Sequence, residues 1–151
     1  MMAHIIDQYT QAIAPLHEMG EKMITCLGKG LADEFKASFK VVEASETTLL
    51  VSYFGYKILF RFEILLVYES EKGSAYPDGR FCAYHLGYNL LGTRQIEEIC
   101  LGHCSFDKHG NVTLRLESRE MRVTCNDYAS WFLAFIFENA LKIRPGMTLR
   151  P

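Results

Sequence analysis

Five cysteine and histidine side chains in the second half of the chain have the types and spacing of metal ligands. They are Cys82, His85, Cys100, His103 and Cys104. Thiolate and imidazole groups bind zinc, and structural zinc sites usually hold paired ligands on a tight knuckle. Positions three apart on a strand point to opposite faces, so Cys82 and His85 converge only if the strand is bulged or turned. The sequence therefore favours cysteines that are small buried side chains, and we expect no metal site.

The same segment contains one candidate pair for cysteine catalysis. A nucleophilic cysteine needs a nearby base, and Cys104 is the only cysteine with an adjacent histidine, His103. Neighbouring strand residues face opposite ways, which separates this pair and also Glu97 from Glu98. Residues 28–30 lack the longer glycine spacing of a phosphate-binding loop. The sequence therefore favours a protein without catalytic activity, and we name no catalytic residue and no cofactor.

The densest aromatic segment lies in residues 128–142, which predict a helix that is apolar nearly all round. A sheet covers only one side of such a helix, so a second surface must cover the other. The N-terminal helices are one candidate, and a second copy of the chain is another, because aromatic faces are enriched at the centres of interfaces. The candidate interface residues are Trp131, Phe132, Phe135 and Phe137.

A sheet that curves around this helix can instead enclose a pocket for a small apolar ligand. Tyr84, His85 and Tyr88 are the candidate polar groups of that pocket, since they lie on the strand predicted over residues 80–88. This alternative describes either a binder of a small apolar ligand or an enzyme of unrecognised type.

The first 47 residues predict two consecutive helices. Apolar residues recur there at steps of three or four, the spacing of one helix face. Pro15 interrupts this stripe, so a kink or a restart is expected at that position. Residues 28–30 suit a helix end, and residues 31–42 predict the second helix. The stripe of the first helix consists of Ile6, Tyr9, Ile13, Leu16, Gly20, Met23 and Leu27.

Residues 48–125 predict antiparallel sheet, because β-branched and aromatic residues alternate with polar ones between turn signals. Two segments are not strands in this interpretation: residues 69–79 predict a loop or long hairpin, and residues 93–100 fit either a strand or a short helix. The predicted strands cover residues 49–54, 58–67, 80–88, 101–106, 112–117 and 121–125.

The order of these elements predicts a single α+β domain over residues 1–151. It comprises two N-terminal helices, a five- to six-stranded antiparallel meander sheet and a C-terminal helix packed on the sheet. Its last third, with a strand, a short segment, a hairpin and a helix, resembles type III secretion chaperones and related small dimeric domains. The resemblance covers about a third of the chain and implies a dimeric, chaperone-like domain, whereas the double helix at the start departs from that pattern.

The composition of the 151 residues limits the classes of partner. The 16 basic and 18 acidic residues nearly cancel, which gives no charge-driven binding to nucleic acid or an acidic membrane. No apolar run is long enough to span a membrane, and the first residues lack a signal peptide pattern. Five scattered cysteines fit reduced thiols. We expect a small cytoplasmic protein-binding or regulatory domain that forms a homodimer. Its partner is therefore a second copy of the chain or a different protein.

Overall fold

The computed structural model describes residues 2–33, 36–54, 56–69, 71, 73–88, 96–116 and 119–143. A long helix, α1 (Met2–Asp33), is followed by seven strands and a second helix, α2 (Tyr128–Ile143). The α+β class predicted from the sequence is confirmed. The strands are β1 (Phe39–Ala44), β2 (Thr48–Tyr53), β3 (Tyr56–Glu69), β4 (Ser74–Tyr88), β5 (Ile96–Phe106), β6 (Asn111–Leu116) and β7 (Arg119–Thr124).

The N-terminal block contains one helix, so the prediction of two helices is wrong. Pro15 lies inside α1. It removes one intrahelical hydrogen bond, but the carbonyl that loses its donor belongs to Gln11, which is exposed and accessible to water. The helix continues through residues 28–30 because Leu27 and Leu31 anchor both sides of that segment in the core. The second helix predicted over residues 31–42 is replaced by the end of α1 and by β1.

The seven strands form one antiparallel sheet in sequential order, from β1 at one edge to β7 at the other. The prediction of five to six strands is therefore too low, and β1 is the strand that was missed. Only Phe39 of β1 is buried, so the alternation that reveals a strand is absent from its sequence. The loop predicted over residues 69–79 is largely strand, because β4 begins at Ser74. Of the segment predicted as either strand or helix over residues 93–100, the part from Ile96 onward is strand, and residues 93–95 lie outside the described residues.

Both helices pack on the same face of the sheet, which we call the helix-covered face. The ring of Phe62 on β3 lies against Gly20 of α1, and Phe132 of α2 contacts Phe60 and Phe81 on β3 and β4. Strand alternation sends every second residue to the other side of the sheet, the open face. The largest fully buried side chains on the helix-covered side are Met23, Leu27, Leu31, Leu49, Val51, Phe60, Phe81, Val112, Leu114, Tyr128, Phe132 and Ile136.

The two helices also contact each other above the sheet. The buried hydroxyl of Tyr128 donates a hydrogen bond to the carbonyl of Met23, which ties the first turn of α2 to the middle of α1. A Cβ on Gly30 would lie 3.9 Å from Cβ of Ala129, so the backbones approach closely there. Among the described residues, neither helix is long and apolar enough to cross a membrane.

Candidate functional site

The four predicted interface residues of α2 are divided between core and surface. Phe132 is fully buried, with its ring centroid 5.5 Å from that of Phe81, so it belongs to the core. Phe135 is half-buried, whereas Trp131 is 49% exposed. The side chain of Phe137 lies outside the described residues. An interface on the described part of α2 would therefore form through Trp131, and that role stays a prediction.

Trp131 lines a groove of about 610 Å³ between α1, α2 and β7, which we call the Trp131 groove. Its walls come from residues 26 and 30 of α1, residues 122–124 of β7 and the first turns of α2. β7 is the edge strand of the sheet, and within the described residues its outer side has no strand partner. The groove thus combines one exposed aromatic side chain with an open strand edge.

Two opposite charges line the Trp131 groove. Arg122 is highly exposed, and its Nε lies 3.7 Å from the carboxylate of Glu120. Asp127 precedes α2 and accepts a hydrogen bond of 3.1 Å from the hydroxyl of Thr124. A carboxylate at this position also interacts favourably with the N-terminal end of the helix dipole. The groove therefore presents a cation and an anion beside the same tryptophan.

The residues predicted to line an apolar pocket do not meet in one place. Tyr84 points to the open face, where its hydroxyl donates to Glu63 at 3.0 Å. His85, the next residue on β4, points to the helix-covered face, and its ring lies 4.6 Å from that of Tyr56. The side chain of Tyr88 lies outside the described residues. Because Tyr84 and His85 lie on opposite faces of the sheet, they cannot line the same pocket.

Tyr84 instead belongs to a charge cluster on the open face. The guanidinium of Arg61 lies 4.3 Å from the centroid of the Tyr84 ring and forms ion pairs with Glu63 at 3.3 Å and Glu98 at 3.2 Å. Burial and the hydrogen bond to Glu63 raise the pKa of the Tyr84 phenol. These groups satisfy one another, which is typical of a structural cluster.

The cysteine and histidine set is also split between the two faces. Cys82 and His103 pair across β4 and β5 on the open face, whereas Cys104 pairs with Phe81 on the helix-covered face. In the described part of the chain, no group of three or more potential ligands could hold a metal ion. Burial raises the pKa of the Cys82 thiol to about 11 and also raises that of Cys104. Both thiols are therefore protonated at neutral pH, the opposite of an activated nucleophile.

The sheet opens between β5 and β6, and this opening was not predicted from the sequence. Among the described residues, the two strands pair only at Ser105 with Thr113 and at Phe106 with Val112. Beyond these pairs they separate around a cavity of about 630 Å³, which we call the β5–β6 cleft. Its lining residues are Arg80, Gly102, His103, Cys104, Ser105, Thr113, Arg115 and Phe135.

The sequence carries a partial signal for this cleft. Thr113 and Arg115 alternate with Val112 and Leu114, which places both polar residues on the open face. Separation of two strands depends on their register, however, and register is not visible in the spacing of these residues.

Comparisons with protein-family models, with curated proteins and with solved structures find no significant match for this chain. The resemblance of its last third to type III secretion chaperones therefore stays a prediction.

Proposed function

We propose that this protein is a small, non-catalytic protein-binding domain that pairs with a second copy of itself through the Trp131 groove. The exposure of Trp131 is the observation that carries the proposal. It is the only tryptophan in the chain, and about half of its surface remains accessible although its neighbour Phe132 is fully buried. Tryptophan, with tyrosine and arginine, is enriched among the side chains that dominate binding energy at interfaces.

The charges of the groove favour a second copy as the occupant. In a twofold dimer, each residue pair across the interface occurs twice with the partners exchanged. Arg122 and Asp127 both line the groove, so such an axis near Trp131 allows Arg122 of each copy to meet Asp127 of the other. The net charge of only −2 adds little repulsion between copies.

We place this function in the cytoplasm. All five cysteines are free thiols, and Cys82, Cys104 and Cys125 are buried. Buried thiols in a chain that folds without disulfides are typical of proteins from reducing compartments.

Sedimentation equilibrium over the micromolar range tests the proposal. We expect the unmodified chain to dimerise and Trp131→Ala to weaken dimerisation by about thirtyfold, because truncation of a central aromatic anchor typically costs about 2 kcal/mol. Tyr76→Ala is the matched control, since Tyr76 is a 43% exposed aromatic residue on β4, away from the groove. Circular dichroism checks that both variants are folded.

A monomeric unmodified chain at the highest concentration would contradict the homodimer. Equal weakening by Trp131→Ala and Tyr76→Ala would instead show that the groove is not the interface.

The alternative of a small-ligand binder is favoured by a different observation, the β5–β6 cleft. Its lining is rich in cationic and hydroxyl groups, so the ligand class differs from the apolar one expected from the sequence.

A further inference from the structure

We propose that the β5–β6 cleft is a binding site for a small organic phosphate, with the phosphate between Arg80 and Arg115 and the organic group against Phe135. This site is separate in its residues from the Trp131 groove, so it stands whether or not the chain dimerises.

A β-bulge explains why the sheet opens at this point. Ala83 pairs with Gly102 and Tyr84 with Cys100, which leaves Leu101 of β5 without a counterpart on β4. A bulge bends its strand and increases the local twist, and bulges often lie beside functional sites. The bend comes just before the positions at which β5 and β6 part. The opening is therefore built into the pairing of β4 with β5.

The cleft exposes hydrogen-bond donors on two strand edges. Continuing the register of Ser105 with Thr113 would set His103 opposite Arg115, but the described strands no longer pair there. Backbone amides and carbonyls along these edges have no ladder partner among the described residues, so each edge offers donors and acceptors. The hydroxyls of Ser105 and Thr113 stand at the point where the strands part, on the same face as both arginines. Donors thus approach one cavity from both sides.

Arg80 contributes a guanidinium to the lining of the cleft, and its side chain is 39% exposed. Its Nε is shielded from solvent and therefore also from the cleft, and the carboxylate of Asp78 lies 3.9 Å from this nitrogen, which is an ion pair but too long for a hydrogen bond. An oxyanion in the cleft would therefore meet the accessible part of the guanidinium and not Nε.

The charges that line the cleft favour an anion. Arg80 and Arg115 line it, and no acidic side chain is among the described lining residues. Three acidic neighbours in the sheet lie outside the lining: Asp78 beside Arg80, Glu63 as the cross-strand partner of Arg80, and Glu120 as the cross-strand partner of Arg115. Glu63 also pairs with Arg61. The lining itself therefore carries positive charge.

The number of donors and the volume favour a phosphate ester over a carboxylate. Two guanidiniums and two hydroxyls match the three terminal oxygens of a phosphate group better than the two oxygens of a carboxylate. A cavity of about 630 Å³ holds a small organic molecule and not only an ion. Phe135, contributed by α2 from the helix-covered side, offers an apolar contact for the organic group.

An amide NMR titration of the full chain with phenyl phosphate tests this site. We expect saturable shifts confined to residues 102–105 and 113–115. Inorganic phosphate should shift the same amides with lower affinity because it cannot contact Phe135. Benzoate should bind more weakly than phenyl phosphate, and phenol should cause no saturable shift.

Two variants test the role of the arginines. Arg80→Gln and Arg115→Gln should each weaken phenyl phosphate binding by about tenfold or more, since each removes charge-assisted hydrogen bonds. Lys57→Gln, which removes an exposed cation on the same open face outside the cleft, should leave the affinity unchanged. If Arg80→Gln does not fold, the exposed Arg115 gives the same test alone.

Four results would overturn the proposal: no saturable shift, shifts centred outside the cleft, tighter binding of benzoate, or equal weakening by Lys57→Gln. Equal weakening by Lys57→Gln would show that the binding is nonspecific electrostatic attraction.

Discussion

Asp107 is the residue that holds the turn between β5 and β6. Its carboxylate accepts hydrogen bonds from the backbone amides of His109 and Asn111, at 2.9 and 3.0 Å, and from the Asn111 side chain at 3.0 Å. Partial burial raises the pKa of Asp107, but these hydrogen bonds outweigh it and the net shift is downward. The turn fixes the two residue pairs that join the described parts of β5 and β6. Asp107 therefore supports one end of the β5–β6 cleft.

Asp107→Ala should lower the free energy of unfolding at neutral pH by about 1 kcal/mol, the usual net value of a few partly exposed hydrogen bonds. Since the pKa is lower in the folded state, this stabilisation is present above the unfolded pKa of Asp107 and is lost as the pH falls through the folded pKa. Urea denaturation at several pH values measures the difference.

The control for Asp107 is Glu46→Ala, which removes an exposed carboxylate from the turn between β1 and β2. A loss of stability for Asp107→Ala that does not shrink in acid would contradict the role assigned to the carboxylate.

Two glycines of helix α1 differ in the space that their neighbours leave for a side chain. A Cβ on Gly20 would lie 2.5 Å from the ring of Phe62, an overlap that forces the ring or the helix to move. A Cβ on Gly28 would lie 4.0 Å from Leu49, an ordinary contact. Both glycines are in the same helix, so the intrinsic preference for alanine is the same at both positions.

We expect Gly20→Ala and Gly28→Ala to change stability in opposite directions. Gly28→Ala should stabilise the chain by up to about 1 kcal/mol through helix propensity. Gly20→Ala should destabilise it, because overpacking typically costs about 1–3 kcal/mol and exceeds that gain. Thermal unfolding of the two variants measures both signs, and stabilisation by Gly20→Ala would show that Phe62 does not pack as described.

The elements differ in how far the sequence predicts them. The sequence predicts β3 and α2 close to their observed bounds because their apolar spacing is long and regular. β1 was missed since Phe39 is its only buried residue. The stripe of α1 predicts a single buried face, yet Ile6 and Tyr9 are 60% and 41% exposed, because the first turns of α1 lie beyond its buried contacts. Spacing predicts which residues share a face, but not what covers that face.

The candidate sites depend even more on long-range placement. The sequence predicts both Phe132 and Trp131 as interface residues, yet Phe132 points into the core and Trp131 into a groove. The β5–β6 cleft arises from a β-bulge and from the short paired length of β5 and β6. Neither feature can be predicted from the local sequence. The sequence predicts which types of residue are present at both sites, but it does not predict that these residues come together in space.

In the whole molecule, the two helices cover one face of the sheet and leave the other open. The two proposed sites both lie near the β7 edge of this sheet. Thr113 of the β5–β6 cleft is the cross-strand partner of Arg122, which lines the Trp131 groove. The edge strand β7 thus separates the proposed phosphate site from the proposed dimer surface. Variants that test one site must therefore avoid the residues of the other, which is why Lys57 and Tyr76 are the controls.

Exchange of charges between copies tests self-association through the Trp131 groove. Arg122→Glu and Asp127→Lys each set like charges against each other in a twofold dimer, whereas a mixed pair of the two variants restores opposite charges at both contacts. Thermal unfolding of each variant confirms that it is folded.

Sedimentation equilibrium is run on each variant alone and on their equal mixture. We expect monomers for each variant alone and the mass of a dimer for the mixture. Dimers of each variant as stable as those of the unmodified chain, or a mixture that stays monomeric where the unmodified chain dimerises, would contradict it.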